Sequence, residues 1–175
     1  MDISNGENIG IVLFVQGCHF KCHNCFNPET WDFNGGKQWT QETKGNFLSL
    51  IDKPYIKRIT ILGGEPLAEE NLEDVLDLIS DIRFLFPLKS IWIYTGYEWE
   101  HIFDQGWHYH PRTQEKLSIG RWKRQQIISQ CNVLIDGQYI DTQRDITAKW
   151  KGSKNQRVID VQRTIRNGEI VLWTT

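Results

Sequence analysis

The sequence lacks the features that mark membrane, secreted and disordered proteins. Its 175 residues include no apolar run close to the ~20 residues that a membrane-spanning helix needs. It begins Met-Asp-Ile-Ser-Asn-Gly-Glu, with an acid where a secretory signal carries lysines, and no apolar stretch with a small-residue cleavage site follows. Hydrophobic residues make up 39% of the chain and charged residues 24%, a composition typical of folded proteins. These absences predict one soluble, cytoplasmic domain over residues 1–175, with no membrane partner.

Cysteine is scarce as well, with four residues in the chain. Thiols stay reduced in the cytoplasm, so these cysteines are expected to be ligands, nucleophiles or core residues rather than disulfide partners. Cys131 begins an apolar run, where a free cysteine usually behaves as a small buried hydrophobe. The other three, Cys18, Cys22 and Cys25, lie within eight positions. Any metal chemistry of the cysteines is therefore expected in this short segment.

Charge is unevenly distributed, although the formal net charge is only −2. Residues 1–111 carry 8 Lys+Arg and 16 Asp+Glu, whereas residues 112–166 carry 12 and 5. Much of the acid belongs to an amphipathic helical pattern, which predicts a solvated acidic face. The basic stretch is a candidate surface for an anionic ligand or a partner protein. Its charges are too dispersed to predict a nucleic-acid partner.

Segments typical of buried strands alternate with segments typical of helices. Four short runs rich in β-branched residues predict strands, at residues 10–15, 56–62, 90–94 and 132–135. Helical patterns accompany them, at residues 40–51, 69–86, 98–104 and 121–130. This alternation predicts an α/β fold with a mostly parallel sheet. Residues 105–120 have no clear period and predict a loop insertion, and Asn167-Gly168 between two apolar runs predicts a C-terminal β-hairpin.

Each predicted strand ends in a turn of small or polar residues. The turns are Gln16-Gly17-Cys18, Gly63-Gly64-Glu65-Pro66, Thr95-Gly96-Tyr97 and Asp136-Gly137. In parallel α/β sheets and barrels, ligands bind at the carboxyl ends of the strands. The four turns are therefore expected to converge on one site.

The three clustered cysteines form a Cys-x3-Cys-x2-Cys pattern on the first of these turns. Three thiolates this close can bind three irons of a cubane cluster and leave the fourth iron open to a small chelating molecule. A structural zinc site with His19 and His23 is the alternative, but such sites usually include a second ligand pair further along the chain. We therefore expect His19 and His23 to be exposed residues of this loop. His108 and His110 are likewise expected to be exposed, in the predicted loop at residues 105–120.

Two motifs together resemble the radical S-adenosylmethionine superfamily. They are the Cys-x3-Cys-x2-Cys loop after the first strand and the Gly63-Gly64-Glu65-Pro66 turn after the second. Within that superfamily, the chain resembles the activating proteins of anaerobic ribonucleoside-triphosphate reductase. This narrower resemblance rests on residues 25–31, 133–137 and 150–160, of which the Gly-Ser-x-Asn-Gln-Arg sequence weighs most. The resemblance covers nearly the whole chain.

The resemblance implies an incomplete (β/α) barrel, the partial TIM barrel of the superfamily, and it implies two cofactors. Cys18, Cys22 and Cys25 would ligate a 4Fe-4S cluster whose open iron chelates S-adenosylmethionine. Gly63, Gly64 and Glu65 would contact the amino group of S-adenosylmethionine. Thr95 and Asp136 would contact its carboxylate or ribose, and Asn24 and Phe26 its adenine.

The resemblance also implies a reaction and its partners. One electron from the reduced cluster would cleave S-adenosylmethionine to a 5′-deoxyadenosyl radical, which would take a hydrogen atom from a backbone glycine of the reductase. A chain of 175 residues leaves such a barrel open on one side, which suits a protein substrate. With only Cys131 left over, the electron would come from an external donor such as flavodoxin. The alternatives are an activase of another glycyl-radical enzyme, a small deazapurine-pathway enzyme, and a non-catalytic zinc or iron-sulfur adaptor.

Overall fold

The computed structural model describes residues 1–103 and 119–174, which form one five-stranded sheet with helices packed against it. The strands follow the chain in the order β1-β2-β3-β4-β5, with these bounds: β1 Gly10–Val15, β2 Arg58–Gly63, β3 Ser90–Tyr94, β4 Val133–Asp136 and β5 Arg157–Asp160. The first four strands are parallel, and β5 is antiparallel to β4. The predicted α/β class and mostly parallel sheet are therefore confirmed.

Five helices are described, and four of them lie where the sequence predicts helices. Their bounds are α1 Gln41–Ile51, α2 Leu72–Leu85, α3 Trp99–Phe103, α4 Ile119–Ser129 and α5 Val161–Asn167. The acidic helix predicted from residue 69 starts with a short 3-10 turn at Glu69–Asn71 before α2 begins. Among the described residues, no helix is long and apolar enough to cross a membrane.

The two faces of the sheet carry different side chains because neighbouring residues of a strand point to opposite faces. Ile59 and Ile91 belong to the large core beneath the helices, together with Cys131, which is fully buried as expected. Trp92 belongs to a smaller cluster on the opposite face, where its ring packs edge-on against Trp150 at 5.0 Å. This second face leads to the cavity described below, and we call it the cavity face.

Much of the charge asymmetry is compensated inside the fold. Glu69, in the 3-10 turn before α2, pairs with Arg124 of the basic α4 at 3.0 Å, and Glu73 of α2 pairs with Lys123 of α4. Lys44 of α1 reaches two more α2 acids, Asp77 and Asp81, at 2.6 Å each. Because the acidic partners are 40% or more exposed, these pairs contribute little to stability individually. The predicted acidic face is thus partly covered by basic side chains of neighbouring helices.

The predicted C-terminal hairpin is wrong, because a helix occupies the connection. Asp160 caps the start of α5 by accepting a hydrogen bond from the Arg163 backbone N–H at 2.9 Å, and Gly168 ends the helix with a left-handed backbone (φ 73°). A tight hairpin turn and a helix C-terminus both favour Asn-Gly for its left-handed conformation, so the dipeptide alone does not separate them. The chain still returns to β5, where Leu172 is bridged antiparallel to Ile159.

The predicted loop insertion at residues 105–120 falls mostly outside the described residues, as do His108 and His110. Its last two residues, Ile119 and Gly120, already belong to α4.

Candidate functional site

The turns at the carboxyl ends of the parallel strands open into one cavity of about 520 Å³. Each of the four predicted turns contributes lining residues to it, namely Cys18, Gly63 to Glu65, Thr95 and Gly96, and Gly137. Cys22, Cys25 and Phe26 line the same cavity. The volume lies within the range of small-molecule sites, which is about 300 to 1,000 Å³. The expected convergence of the four turns is therefore confirmed.

The cysteine loop, residues 16–27, is anchored at its base and irregular beyond it. The backbone N–H groups of Gly17 and Cys18 donate to the carbonyls of Thr30 and Trp31, at 2.8 and 3.1 Å. Beyond this base, the Cys25 N–H donates to the Cys22 carbonyl at 3.1 Å. These bonds bring the returning chain beside the first cysteine and turn the loop towards the cavity.

The three cysteines present free, half-buried thiols to the cavity. Burial raises the pKa of the Cys18 and Cys22 thiols, although backbone N–H groups that donate to the sulfurs oppose the rise. Within the described part of the chain, no three His, Cys, Asp or Glu side chains are grouped to hold a single metal ion. Three cysteines on one cavity wall fit the donor set that a cluster with one open iron needs, because each thiolate would bind a different iron.

The Gly63-Gly64-Glu65 turn is pressed against the cysteine loop through its backbone. Gly63 has a φ of 113°, and a Cβ there would lie 2.8 Å from the backbone of Val15. A Cβ on Gly64 would overlap the Gly17 carbonyl oxygen. The N–H groups of Gly64 and Glu65 donate to the carbonyls of Val15 and Gly17, at 2.9 and 2.7 Å. Only glycine fits at these two positions, and the absence of side chains leaves backbone atoms on the cavity wall.

Glu65 lies beneath this wall with its carboxylate fixed by three donors. Oε1 accepts from the Leu67 N–H and the Thr95 hydroxyl, and Oε2 accepts from the Gly96 N–H, all at 2.7 Å. Burial raises the pKa of Glu65 to about 7, against the effect of the three donors and of the charge on Arg124. The carboxylate therefore ties the second turn to the third and places a titratable charge under the cavity.

Asp136 is placed away from the cavity, although it ends β4 as predicted. Its carboxylate accepts from Arg157 Nε at 3.0 Å, pairs again with the same guanidinium, and accepts from the Trp99 N–H at 2.9 Å. Arg157 in turn binds Glu100 at 2.7 and 2.9 Å. This pair of a buried Asp136 and a half-buried Arg157 fixes the end of β4 to β5 and α3. Its neighbour Gly137, rather than Asp136 itself, lines the cavity.

The two predicted adenine contacts, Asn24 and Phe26, are separated in the structure. The Phe26 ring lines the cavity and lies 4.9 Å from the ring of Tyr139. The side chain of Asn24 instead donates to Asp141 at 2.9 Å, on the exposed side of the cysteine loop. His19 and His23 are exposed, as expected, and His19 pairs with Glu70 at 2.9 Å.

Several lining residues were not predicted from the sequence. They come from the N-terminal segment, from the cavity face of β3 and from the chain after β4, namely Ser4, Asn5, Tyr94, Tyr139, Trp150 and Gln156. One signal was available for Tyr94, since it precedes the predicted Thr95 on a strand whose alternate residues face the cavity. Gln156 belongs to the Gly-Ser-x-Asn-Gln-Arg sequence, which pointed to a family but not to a contact.

One protein family and several known proteins are similar to nearly the whole chain. The family of 4Fe-4S single cluster domains matches residues 4–159. The anaerobic ribonucleoside-triphosphate reductase-activating protein of Enterobacteria phage T4 is 34% identical over 159 residues, which cover 90% of this chain and 87% of the relative. The protein of the same name from Escherichia coli K12 is 33% identical over 160 residues, covering 90% and 92%. The one from Vibrio cholerae is 31% identical over 158 residues, covering 89% and 90%. No solved structure shows significant similarity to the chain.

Proposed function

The chain belongs to the family of anaerobic ribonucleoside-triphosphate reductase-activating proteins, and we propose that it is the enzyme that installs a glycyl radical on that reductase. The observation that carries this proposal is the meeting of three cysteine thiols and the Gly63-Gly64-Glu65 turn in one cavity. A 4Fe-4S cluster and S-adenosylmethionine are its cofactors. When bound, they would supply a 5′-deoxyadenosyl radical by one-electron cleavage of S-adenosylmethionine, to take a hydrogen atom from the target glycine.

The residues of the chain bind and orient these groups. Cys18, Cys22 and Cys25 hold three irons as thiolates. Gly63 and Gly64 expose their backbone to the amino group of S-adenosylmethionine, and Glu65 beneath them supplies the opposite charge. No side chain is needed as an acid or base in this reaction.

Two more predicted contacts receive different roles. Thr95 remains a candidate contact, because it lines the cavity while its hydroxyl donates to Glu65. We assign Asp136 a scaffolding role, since its carboxylate is occupied by Arg157. We assign Asn24 a scaffolding role as well, since its side chain donates to Asp141. Phe26 stays a candidate adenine contact.

We also propose that residues 1–175 form a single radical S-adenosylmethionine domain, in which the five strands are part of an incomplete barrel. The open side of this barrel would admit a backbone segment of the reductase. The electron would come from an external protein such as a flavodoxin, because Cys131 is buried in the core and no cysteine remains for a second cluster. Free thiols throughout the chain fit a reducing, cytoplasmic environment.

The experiment that tests the function is anaerobic reconstitution with iron and sulfide, followed by reduction with dithionite. The reduced protein is expected to convert S-adenosylmethionine to methionine and 5′-deoxyadenosine. With the anaerobic reductase added, a glycyl-radical doublet is expected in the electron paramagnetic resonance spectrum. A cluster-loaded, reduced sample that forms no 5′-deoxyadenosine would refute the enzymatic role. Nucleoside formation without a doublet would refute the assignment of the partner.

A further inference from the structure

The chain that follows β4 contacts the cysteine loop directly, and we call residues 137–156 the post-β4 loop. Asn24 Nδ2 donates to Asp141 Oδ2 at 2.9 Å across 117 residues of sequence. The Tyr139 ring lies 4.9 Å from the ring of Phe26, at the other end of the same segment. The post-β4 loop thus reaches the cysteine loop on both sides of Cys25.

The cysteine loop has a backbone that needs such support. Lys21 and Asn24 both adopt left-handed conformations, with φ of 46° and 53°. This region is uncommon for residues other than glycine, although asparagine tolerates it better than most. Backbone of this kind persists when surrounding contacts hold it in place. The Asn24 side chain provides one such contact at the position where the chain turns towards Cys25.

Asp141 is oriented so that each carboxylate oxygen has its own donor. Oδ2 accepts from Asn24, and Oδ1 accepts from the Tyr139 hydroxyl at 2.7 Å. The second bond fixes the carboxylate relative to the residue whose ring packs against Phe26. Asn24, Asp141 and Tyr139 therefore form one connected chain of hydrogen bonds that joins the cysteine loop to the post-β4 loop, and the Tyr139 ring returns to the cysteine loop at Phe26.

The Gly-Ser-x-Asn-Gln-Arg sequence holds the post-β4 loop in shape. Gln156 Oε1 accepts from the N–H groups of Gly152 and Ser153, at 2.8 and 3.2 Å, and its Nε2 donates to the Gly137 carbonyl at 2.9 Å. The buried Ser153 hydroxyl accepts from the Ile140 N–H at 3.2 Å. A Cβ on Gly152 would lie 2.7 Å from the Phe26 ring. This segment thus brings the two ends of the loop together and leaves room for Phe26.

We infer that Asp141 is a positioning residue for the iron-sulfur cluster, which it influences by holding Asn24 and hence the Cys22–Cys25 segment in a ligating conformation. The post-β4 loop is the support through which it acts, and the Gly-Ser-x-Asn-Gln-Arg sequence maintains that support. The inference rests on the proposed function only for the identity of the cluster. Asn24 is then a structural partner of Asp141 rather than a contact of the adenine.

A reciprocal exchange of the two side chains tests this inference. Asn24→Asp places two carboxylates against each other, whereas Asn24→Asp combined with Asp141→Asn restores an amide–carboxylate pair with the roles reversed. Aspartate also tolerates the left-handed backbone, so both variants keep the turn. The measurement is the rate at which anaerobically reconstituted protein releases iron to a ferrous chelator. We expect release from N24D to be roughly three- to tenfold faster than from the wild type, and the double variant to return to within about twofold.

The matched control is Asp145→Asn in the same loop. Among the described residues, the Asp145 carboxylate bonds within the loop alone, to the backbone N–H and hydroxyl of Thr147 at 3.0 and 2.6 Å. The rate of iron release from the D145N protein is expected to equal that of the wild type. A double variant that loses iron as fast as N24D, or an N24D protein as retentive as the wild type, would overturn the inference.

The same samples separate this inference from the proposed function. A second readout is the alkylation rate of Cys22 and Cys25 in cluster-free protein, measured by mass spectrometry, which we expect to rise in N24D and to recover in the double variant. Recovery of iron retention and thiol protection without formation of 5′-deoxyadenosine would support the positioning role and reject the enzymatic one. Formation of 5′-deoxyadenosine by the wild type, with no rescue in the double variant, would do the opposite.

Discussion

The buried carboxylate of Glu65 predicts a specific pH dependence of folding stability. Replacing Glu65 with Gln keeps the shape of the side chain but removes its titration. A glutamine side chain accepts hydrogen bonds through its oxygen but not through its NH2 group. That NH2 group would therefore face either the Gly96 N–H or the two donors Leu67 N–H and Thr95 hydroxyl. We expect the variant to be less stable than the wild type at acidic pH by about 1–3 kcal/mol, the cost of an unsatisfied buried donor.

The size of the pH effect follows from the change in proton affinity on folding. Burial raises the pKa of Glu65 from 4.5 to about 7, and each tenfold change in proton affinity corresponds to about 1.4 kcal/mol. The folded state binds the proton more tightly than the unfolded state. The stability contributed by the protonated carboxyl group is therefore fully present below pH 4.5 and is lost as pH rises through about 7. The loss amounts to roughly 3 kcal/mol for this one group.

The assay is urea unfolding of the reduced, cluster-free protein at several pH values between about 5 and 8, with the wild type and E65Q compared at each pH. Other groups titrate equally in both proteins, so the difference between the two isolates Glu65. That difference is expected to change by roughly 3 kcal/mol in favour of E65Q as pH rises. Glu42→Gln, on the exposed side of α1, is the control and should follow the wild type. A difference that stays constant within about 1 kcal/mol would show that the three donors keep the carboxylate ionised and would refute the reasoning.

Three further changes test other parts of the site. Gly64→Ala places a methyl group against the backbone of the cysteine loop next to Cys18, so we expect binding of S-adenosylmethionine, measured by calorimetry, to weaken by tenfold or more and iron content to fall. Arg58→Met removes a buried guanidinium that binds Asp2 and nearby carbonyls, and it should lower the free energy of unfolding by about 3 kcal/mol and speed hydrogen exchange in residues 2–9. Cys22→Ala should abolish the site-differentiated cluster, whereas Cys131→Ser, in the core, should retain the iron content and spectrum of the wild type. An iron content of the Cys22→Ala protein equal to that of the wild type would contradict the ligand assignment.

The strands were predictable because the forces that make them are local. Residues 10–15 and 90–94 are short, continuous runs of β-branched and aromatic residues, and the structure has β1 and β3 with those bounds. The end of the chain was not predictable in the same way. Asn167-Gly168 marks a left-handed backbone position, and the seven residues of α5 are too few for a helical pattern to be distinguished from that of a strand.

The candidate site also includes features that the sequence indicates and features that it does not. Cysteines and glycines on strand ends were found because their residue types carry the chemistry and because parallel strands bring such ends together. The sequence predicts a ligand contact for Asp136 because it ends a strand, but it does not show that β5 runs antiparallel beside β4 and places Arg157 directly opposite Asp136. The Asn24–Asp141 contact was missed because nothing local to either residue indicates the other across 117 positions.

The Gly-Ser-x-Asn-Gln-Arg sequence uses its polar side chains to bind other parts of the chain. Both side-chain ends of Gln156 are used on backbone groups at Gly137, Gly152 and Ser153, and the Arg157 guanidinium is shared between two carboxylates. Arg157 is the first residue of β5 and lies opposite Asp136 at the end of β4, so the strand pairing and the bonds of Gln156 hold the two ends of the post-β4 loop together. A motif of this kind is specific because it must satisfy several backbone groups at once, and a substitution within it is expected to act first on the cysteine loop that the post-β4 loop supports.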